Sequence, residues 1–234
     1  MESGNLYIAA TPIGNLKDIT YRVVETLKEA NLIVCEDTRH TRKLLTHYGI
    51  DKPTISYHQH SSPHKIKELI EKIKGGQNVV YVSDAGTPNV SDPGGKLAEA
   101  AAAAGITTIP LPGPAAFSTL ISVAGLPMDN FIFLGFLPHK KGRRKIYEKI
   151  MNSEIPVIFY ESVHRIMRTL GDLAELMPER QMVIGRELTK MHETIYRGKI
   201  ESLKENFSDS EVKGEFAVIV AGNKKMPRLS QASE

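Results

Sequence analysis

NVVYVSDAGTPNVSDPG, residues 78–94, runs from an apolar segment into a loop with two aspartates, two glycines and two prolines in its last twelve positions. The apolar part reads as a strand. Gly and Pro at such density specify tight, irregular backbone. Together they place the loop at the carboxyl edge of a sheet, where α/β proteins bind ligands.

Working outward, strand and helix signals alternate. LYIAAT (6–11) and NLIVCED (31–37) read as strands around the helix YRVVETLKEA, capped by Asp18 or Thr20. A helix from Thr38 to Tyr48, the strand TISYH, the helix KIKELIEKIKGG, a helix after Pro93 running to Gly105, the strand TTIPLPGP and the helix AAFSTLISVAG follow. This alternation argues a mostly parallel, layered sheet of the α/β class. GLPMDN, residues 125–130, is the best linker, so an N-terminal domain is expected over 1–126 and a C-terminal one over 127–223, with a polar tail at 224–234. The second domain holds FIFLGFLP, a basic helix from about Lys141, the strand PVIFYE, a helix from SVHR onward, the strand QMVIGREL, an edge hairpin or short helix in HETIYRGKIESL, and EFAVIVAG.

The 234 residues, 41% hydrophobic and 24% charged, suffice for one large domain or two modest ones. No apolar run reaches the roughly 18–20 residues of a membrane span, and MESGNLYIAATP lacks a basic region ahead of an apolar one, so a cytoplasmic protein is expected. Cys35 is the single cysteine, which removes disulfide frameworks and cysteine-based zinc sites, and reads as a small buried hydrophobe. Net charge is only +3, but bases cluster at 39–43, 139–145 and 224–228, leaving a polyanionic partner open beside the plainer reading of solvated faces.

The opening loop contains neither GxxxxGK[ST] nor GxGxxG, and Asp84 at the strand end would repel a phosphate. Asp84 and Asp92 make a thin ligand set for a divalent ion, so no metal is expected. A nucleoside cofactor with hydroxyls, an amine and a positive centre suits the loop better, since a carboxylate accepts from such donors and glycine lets backbone approach closely. The plainer alternative is that both aspartates merely cap turns.

ATPIGNLKDIT (10–20), CEDTRHTRKLL (35–45), SDAGTPNVSDPG (83–94), PLPGPAA (110–116), GFLPHKKGRR (135–144), FYESVHRI (159–166), RELTKMHETIYRG (186–198) and GEFAVIV (214–220) occur in order across nearly the whole chain. This set resembles the ribosomal RNA small subunit methyltransferase I family, which is similar in fold to the tetrapyrrole methylases. The resemblance implies two α/β domains with S-adenosylmethionine in a cleft between them, a homodimer, and 2′-O-methylation of a cytidine in 16S rRNA of the small ribosomal subunit. It also implies cofactor contacts from Pro12, from Asp84, Ala85, Gly86 and Thr87, from Ala115, Ala116 and Phe117, and from Tyr160, Leu188 and Ala217. The loop reads AGTP where tetrapyrrole relatives commonly carry a GDP-type turn, so exact contacts do not transfer.

Methyl transfer to a 2′-hydroxyl needs positioning and removal of a proton. Glu36, Asp37, Glu161, His164 and Glu187 lie at or just beyond strand ends; Glu36, Asp37 and Glu161 are the candidate catalytic groups, with helix capping and ion pairing as the alternative. Arg39, Arg42, Lys140, Lys141, Arg143, Arg144, Arg165 and Arg186 read as candidate phosphate holders. Two other functions stay open: a same-fold methyltransferase acting on a tetrapyrrole or other small molecule, and a non-catalytic RNA-binding module.

Overall fold

Residues 3–58, 61–91, 94–206 and 213–223 are described by the computed structural model. His60, Asp92, Pro93 and the tail at 224–234 lie outside these residues, and with them the expected helix cap at Asp92 and Pro93.

Two compact units make up the chain, residues 1–116 and 117–234. The first is a parallel sheet in the order β3-β2-β4-β1-β5, formed by β1 (Leu6–Ala9), β2 (Leu32–Cys35), β3 (Thr54–Ser56), β4 (Val79–Val82) and β5 (Thr108–Leu111). Every residue of β2 and β4 is buried, which follows from helices on both faces. Period-two alternation divides these strands between two cores. Val34, Val79 and Tyr81 meet α3 (Pro63–Lys74) and α4 (Gly95–Ala103) through Leu69, Ile73, Leu97 and Ala101. Ile33, Cys35, Val80 and Val82 meet α1 (Tyr21–Glu29) and α2 (Thr38–His47) through Val23, Leu27 and Leu45. Cys35 is thus a core residue, and burial pushes its thiol pKa up. Thr20, not Asp18, caps α1, its hydroxyl accepting the Val23 N–H at 3.2 Å.

The second unit contains α5 (Ala116–Ser122) almost whole, so the chain divides ten residues before the expected boundary at 126. Packing gives the reason: a Cβ on Gly185 would lie 2.9 Å from Leu120 Cδ1, so α5 sits close on this unit's own sheet. That sheet has the order β6-β7-β10-β8-β9, from β6 (Ile132–Phe136), β7 (Val157–Ser162), β8 (Gln181–Arg186), β9 (Thr194–Lys199) and β10 (Glu215–Val220). Only β6 and β7 pair in parallel; the other ladders are antiparallel. The expectation of a mostly parallel sheet therefore holds for the first unit alone. Residues 187–193 between β8 and β9 are too few for a parallel crossover, and they make a hairpin.

One face of this sheet packs Val157, Phe159, Ile184, Phe216 and Val218 against α6 (Arg143–Asn152), α7 (Ile166–Leu176) and α8 (Ile200–Asn206). HETIYRGKIESL resolves into β9 followed directly by α8. SVHR is a turn rather than the first turn of a helix, since β7 runs to Ser162 and α7 begins at Ile166.

Candidate functional site

Four strands of the first sheet end side by side, and the segments leaving them are stitched together. Thr11 and Gly86 exchange both backbone hydrogen bonds, at 2.9 and 3.0 Å, joining the exits of β1 and β4. The Thr11 hydroxyl donates to the Ser83 carbonyl at 3.1 Å, and the Ser83 hydroxyl donates to the Gly86 carbonyl at 3.0 Å. Beyond β5, the Pro114 carbonyl accepts the Thr87 hydroxyl at 3.1 Å. Gly86 has φ +82°, and a Cβ there would lie 3.2 Å from Ile13 Cγ2, so both conformation and space select glycine. Thr11 and Ser83, which the sequence reading passed over, are the side chains that fix this loop. A small hydroxyl residue at each strand end was the available signal.

Pro12, Asp84, Ala85, Gly86, Thr87 and Ala115 are therefore brought to one edge, with Ala85 exposed and Asp84 and Thr87 half-buried. Asp84 Oδ1 accepts the backbone N–H of Asp37 at 3.1 Å, which also brings the exit of β2 to the loop. One accepted bond leaves further lone pairs on this carboxylate for hydroxyl or ammonium donors. Close backbone and a single acceptor suit a nucleoside with a positive centre better than a phosphate. Among the described residues no group of three His, Cys, Asp or Glu side chains could hold a metal ion.

Glu36 is half-buried at the same edge. Asp37 caps α2, its Oδ1 accepting the Arg39 N–H at 2.8 Å, and its Oδ2 pairs with Arg39 Nη2 at 2.7 Å. These bonds to Arg39 hold the Asp37 carboxyl far below the usual carboxylate range. A carboxylate so stabilised is a poor proton acceptor.

In the second unit, Tyr160, Ala217 and Gly185 form one cross-strand row on the face opposite α6 and α7. The Tyr160 hydroxyl accepts the Phe117 N–H at 3.1 Å, and burial pushes its pKa up, so it stays protonated and able to donate. Phe133 stacks on Phe117 at 4.9 Å and meets Tyr160 edge-on at 5.1 Å. Leu188 is buried, and its Cδ2 would lie 2.9 Å from a Cβ on Gly185. The flanking turn uses positive φ at Glu187 (+50°) and Thr189 (+67°). Burial raises the Glu187 pKa, but bonds from Lys190 Nζ and the Glu215 N–H, each at 2.9 Å, outweigh it and leave the carboxyl below its ordinary value.

Three expected roles do not match where the side chains lie. Glu161, expected among the catalytic carboxylates, is 1% exposed and points into the helical core beside Phe216, paired with Arg165 at 2.7 Å. Arg143, expected at phosphate, is 5% exposed and spent on internal acceptors. Arg165 also turns inward, giving Nη1 to the Leu137 carbonyl at 2.8 Å. Lys140, Lys141, Arg144, Arg42 and Arg39 are exposed, and Arg186 is half-buried, giving Nε to the Lys213 carbonyl at 2.7 Å. His164 lies exposed in the turn before α7.

The sequence profile of the tetrapyrrole (corrin/porphyrin) methylases matches residues 5–204. The chain is 44% identical to ribosomal RNA small subunit methyltransferase I of Synechocystis sp., over 99% of this chain and 84% of that protein. It is 47% identical to the protein of the same name from Haemophilus influenzae, over 99% and 83% of the respective chains. The fold is similar to that of a diphthine synthase, with a TM-score of 0.72 at 15% identity over 94% of this chain and 90% of that one. It is also similar to uroporphyrin-III C-methyltransferase from Thermus thermophilus complexed with S-adenosylhomocysteine, with a TM-score of 0.64 at 18% identity over 93% and 97%.

Proposed function

The chain belongs to the tetrapyrrole methylase family, and from that premise we propose that it is an S-adenosylmethionine-dependent methyltransferase acting on the 2′-hydroxyl of a cytidine in 16S rRNA. When bound, S-adenosylmethionine supplies a methyl group already activated on a sulfonium sulfur. The observation that carries the reading is the stitched edge of the first sheet, which presents the Asp84 carboxylate beside backbone that only glycine permits at position 86.

In this reading Asp84 accepts donors of the cofactor, and Pro12, Ala85, Gly86, Thr87, Ala115 and Ala116 line it. Phe117, Tyr160, Leu188 and Ala217 are proposed as further contacts. Glu36, half-buried just after β2 and next to Asp37, whose N–H Asp84 accepts, is proposed to take the hydroxyl proton; Asp37 is held ionised by Arg39 and Glu161 is enclosed with two arginines. Lys140, Lys141, Arg144, Arg39 and Arg42 are the exposed bases proposed to meet phosphate. We also propose that the working unit is a homodimer in the cytoplasm; among the described residues no helix is long and apolar enough to cross a membrane.

Purified small subunits or 16S rRNA from cells lacking this protein, incubated with it and labelled S-adenosylmethionine, should gain one ribose methyl at a cytidine, mapped by mass spectrometry. Label entering a porphyrin precursor and not rRNA would give the small-molecule reading instead. Cofactor binding by calorimetry without transfer to either substrate would favour a binding module.

A further inference from the structure

Glu161 has no place at the reacting hydroxyl, yet it organises a network that reaches the loop carrying Lys140 and Lys141. Its Oε1 pairs with Arg165 Nη2 at 2.7 Å, and its Oε2 faces Arg143 Nη2 at 3.6 Å. The Thr169 hydroxyl stands between them, 2.8 Å from Glu161 Oε2 and accepting Arg143 Nη2 at 2.7 Å. Each arginine also holds a carbonyl outside the network. Arg165 Nη1 donates to Leu137 at 2.8 Å, and Arg143 Nη1 donates to Pro138 at 3.0 Å.

These consecutive carbonyls begin the segment 137–142, which leaves β6, carries the exposed Lys140 and Lys141, and enters α6 through Gly142 at φ +88°. Without a carboxylate between them, two buried guanidinium groups repel each other and lose their common anchor. A loop that must be ordered on binding spends affinity on that ordering, whereas one already held does not.

We propose that Glu161 is a positioning residue for RNA: through Arg143 and Arg165 it fixes loop 137–142 so that Lys140 and Lys141 meet phosphates from a preset backbone. This rests on the rRNA reading of the preceding section. A purely structural carboxylate would need only its own partners satisfied. Here both partners extend to the loop that bears Lys140 and Lys141.

The test uses the whole protein, small subunits as substrate, and Glu161→Gln, which keeps shape and removes the charge. Thr169→Val, which removes the bridging hydroxyl with no change of charge, carries the same test if the first variant does not fold. The KM for subunits should rise about tenfold while kcat and cofactor Kd stay within about twofold, because phosphate contacts position the RNA and do not take part in the chemistry. Amide exchange at residues 139–142 should quicken. Lys140→Ala with Lys141→Ala should raise KM in the natural background and add little to Glu161→Gln, since coupled groups are non-additive. An unchanged KM in either folded variant, or losses that simply add, overturns the proposal. So does a lysine pair whose removal leaves KM unchanged, with the rRNA activity itself intact. No methyl transfer to rRNA by the natural protein would remove the parent reading and this one together.

Discussion

Asp37 lies just after β2 and Glu161 near the end of β7, and both lie 2.7 Å from an arginine nitrogen, yet the two pairs live in different solvents. Asp37 and Arg39 leave 35% and 88% of their side chains exposed, whereas Glu161 and Arg165 leave 0% and 13%. Water and salt screen the first pair, so its net worth is small and its charges remain available to solutes. The second has given up hydration, so each charge depends on the others and the group acts as scaffold. Contact distance alone assigns no role; burial separates an edge that can meet a ligand from an interior that shapes a surface.

The comparison breaks first at Glu161. Glu161→Ala leaves two arginines uncompensated and should cost about 3–5 kcal/mol of stability by urea unfolding, against no measurable loss for Arg39→Ala. Equal effects would erase the distinction. Next, Glu36→Gln should lower kcat about a hundredfold or more while cofactor affinity, measured by calorimetry, holds; a wild-type rate removes Glu36 as the base. Gly86→Ala, forced into positive φ beside Ile13, should cost about 1–2 kcal/mol and weaken cofactor binding, readable as a lower thermal midpoint and a raised Kd.

The smallest expected effect concerns acid. Asp37 is held below its ordinary value of 3.8, so its contribution to stability is complete above that pH and fades as pH falls. Asp37→Asn should therefore lower the neutral plateau of a plot of thermal midpoint against pH slightly, flatten its acid side, and leave the most acid end nearly unmoved. A steeper acid side would contradict the pairing with Arg39.

Most of the first unit was legible because its strands are unbroken apolar runs set between helices with capping residues, as at Thr20. The antiparallel ladders of the second unit were not, because a strand's own residues do not name its neighbours, and β10 enters between β7 and β8 from far along the chain. The loop Asp84–Thr87 was readable from glycine and proline density. The burial of Glu161 had a signal that went unused: period two places it on the face of Val157 and Phe159, with Arg165 and Thr169 four and eight residues on. FYES looks like a strand ending in a functional acid, and only the helices packed over that face decide otherwise.

The parallel sheet also has to be protected from itself. β5 is an edge strand, and an open edge invites pairing with another chain. Pro110 pairs with Ile8 in the ladder but has no N–H to offer, and its carbonyl lies 3.4 Å from Arg22 Nη2. A newly made chain therefore closes this side of the sheet with a strand that gives an intruder little to template on. Pro110→Val would reopen it, and the cost should surface as aggregates during refolding at high concentration rather than as a loss of catalysis.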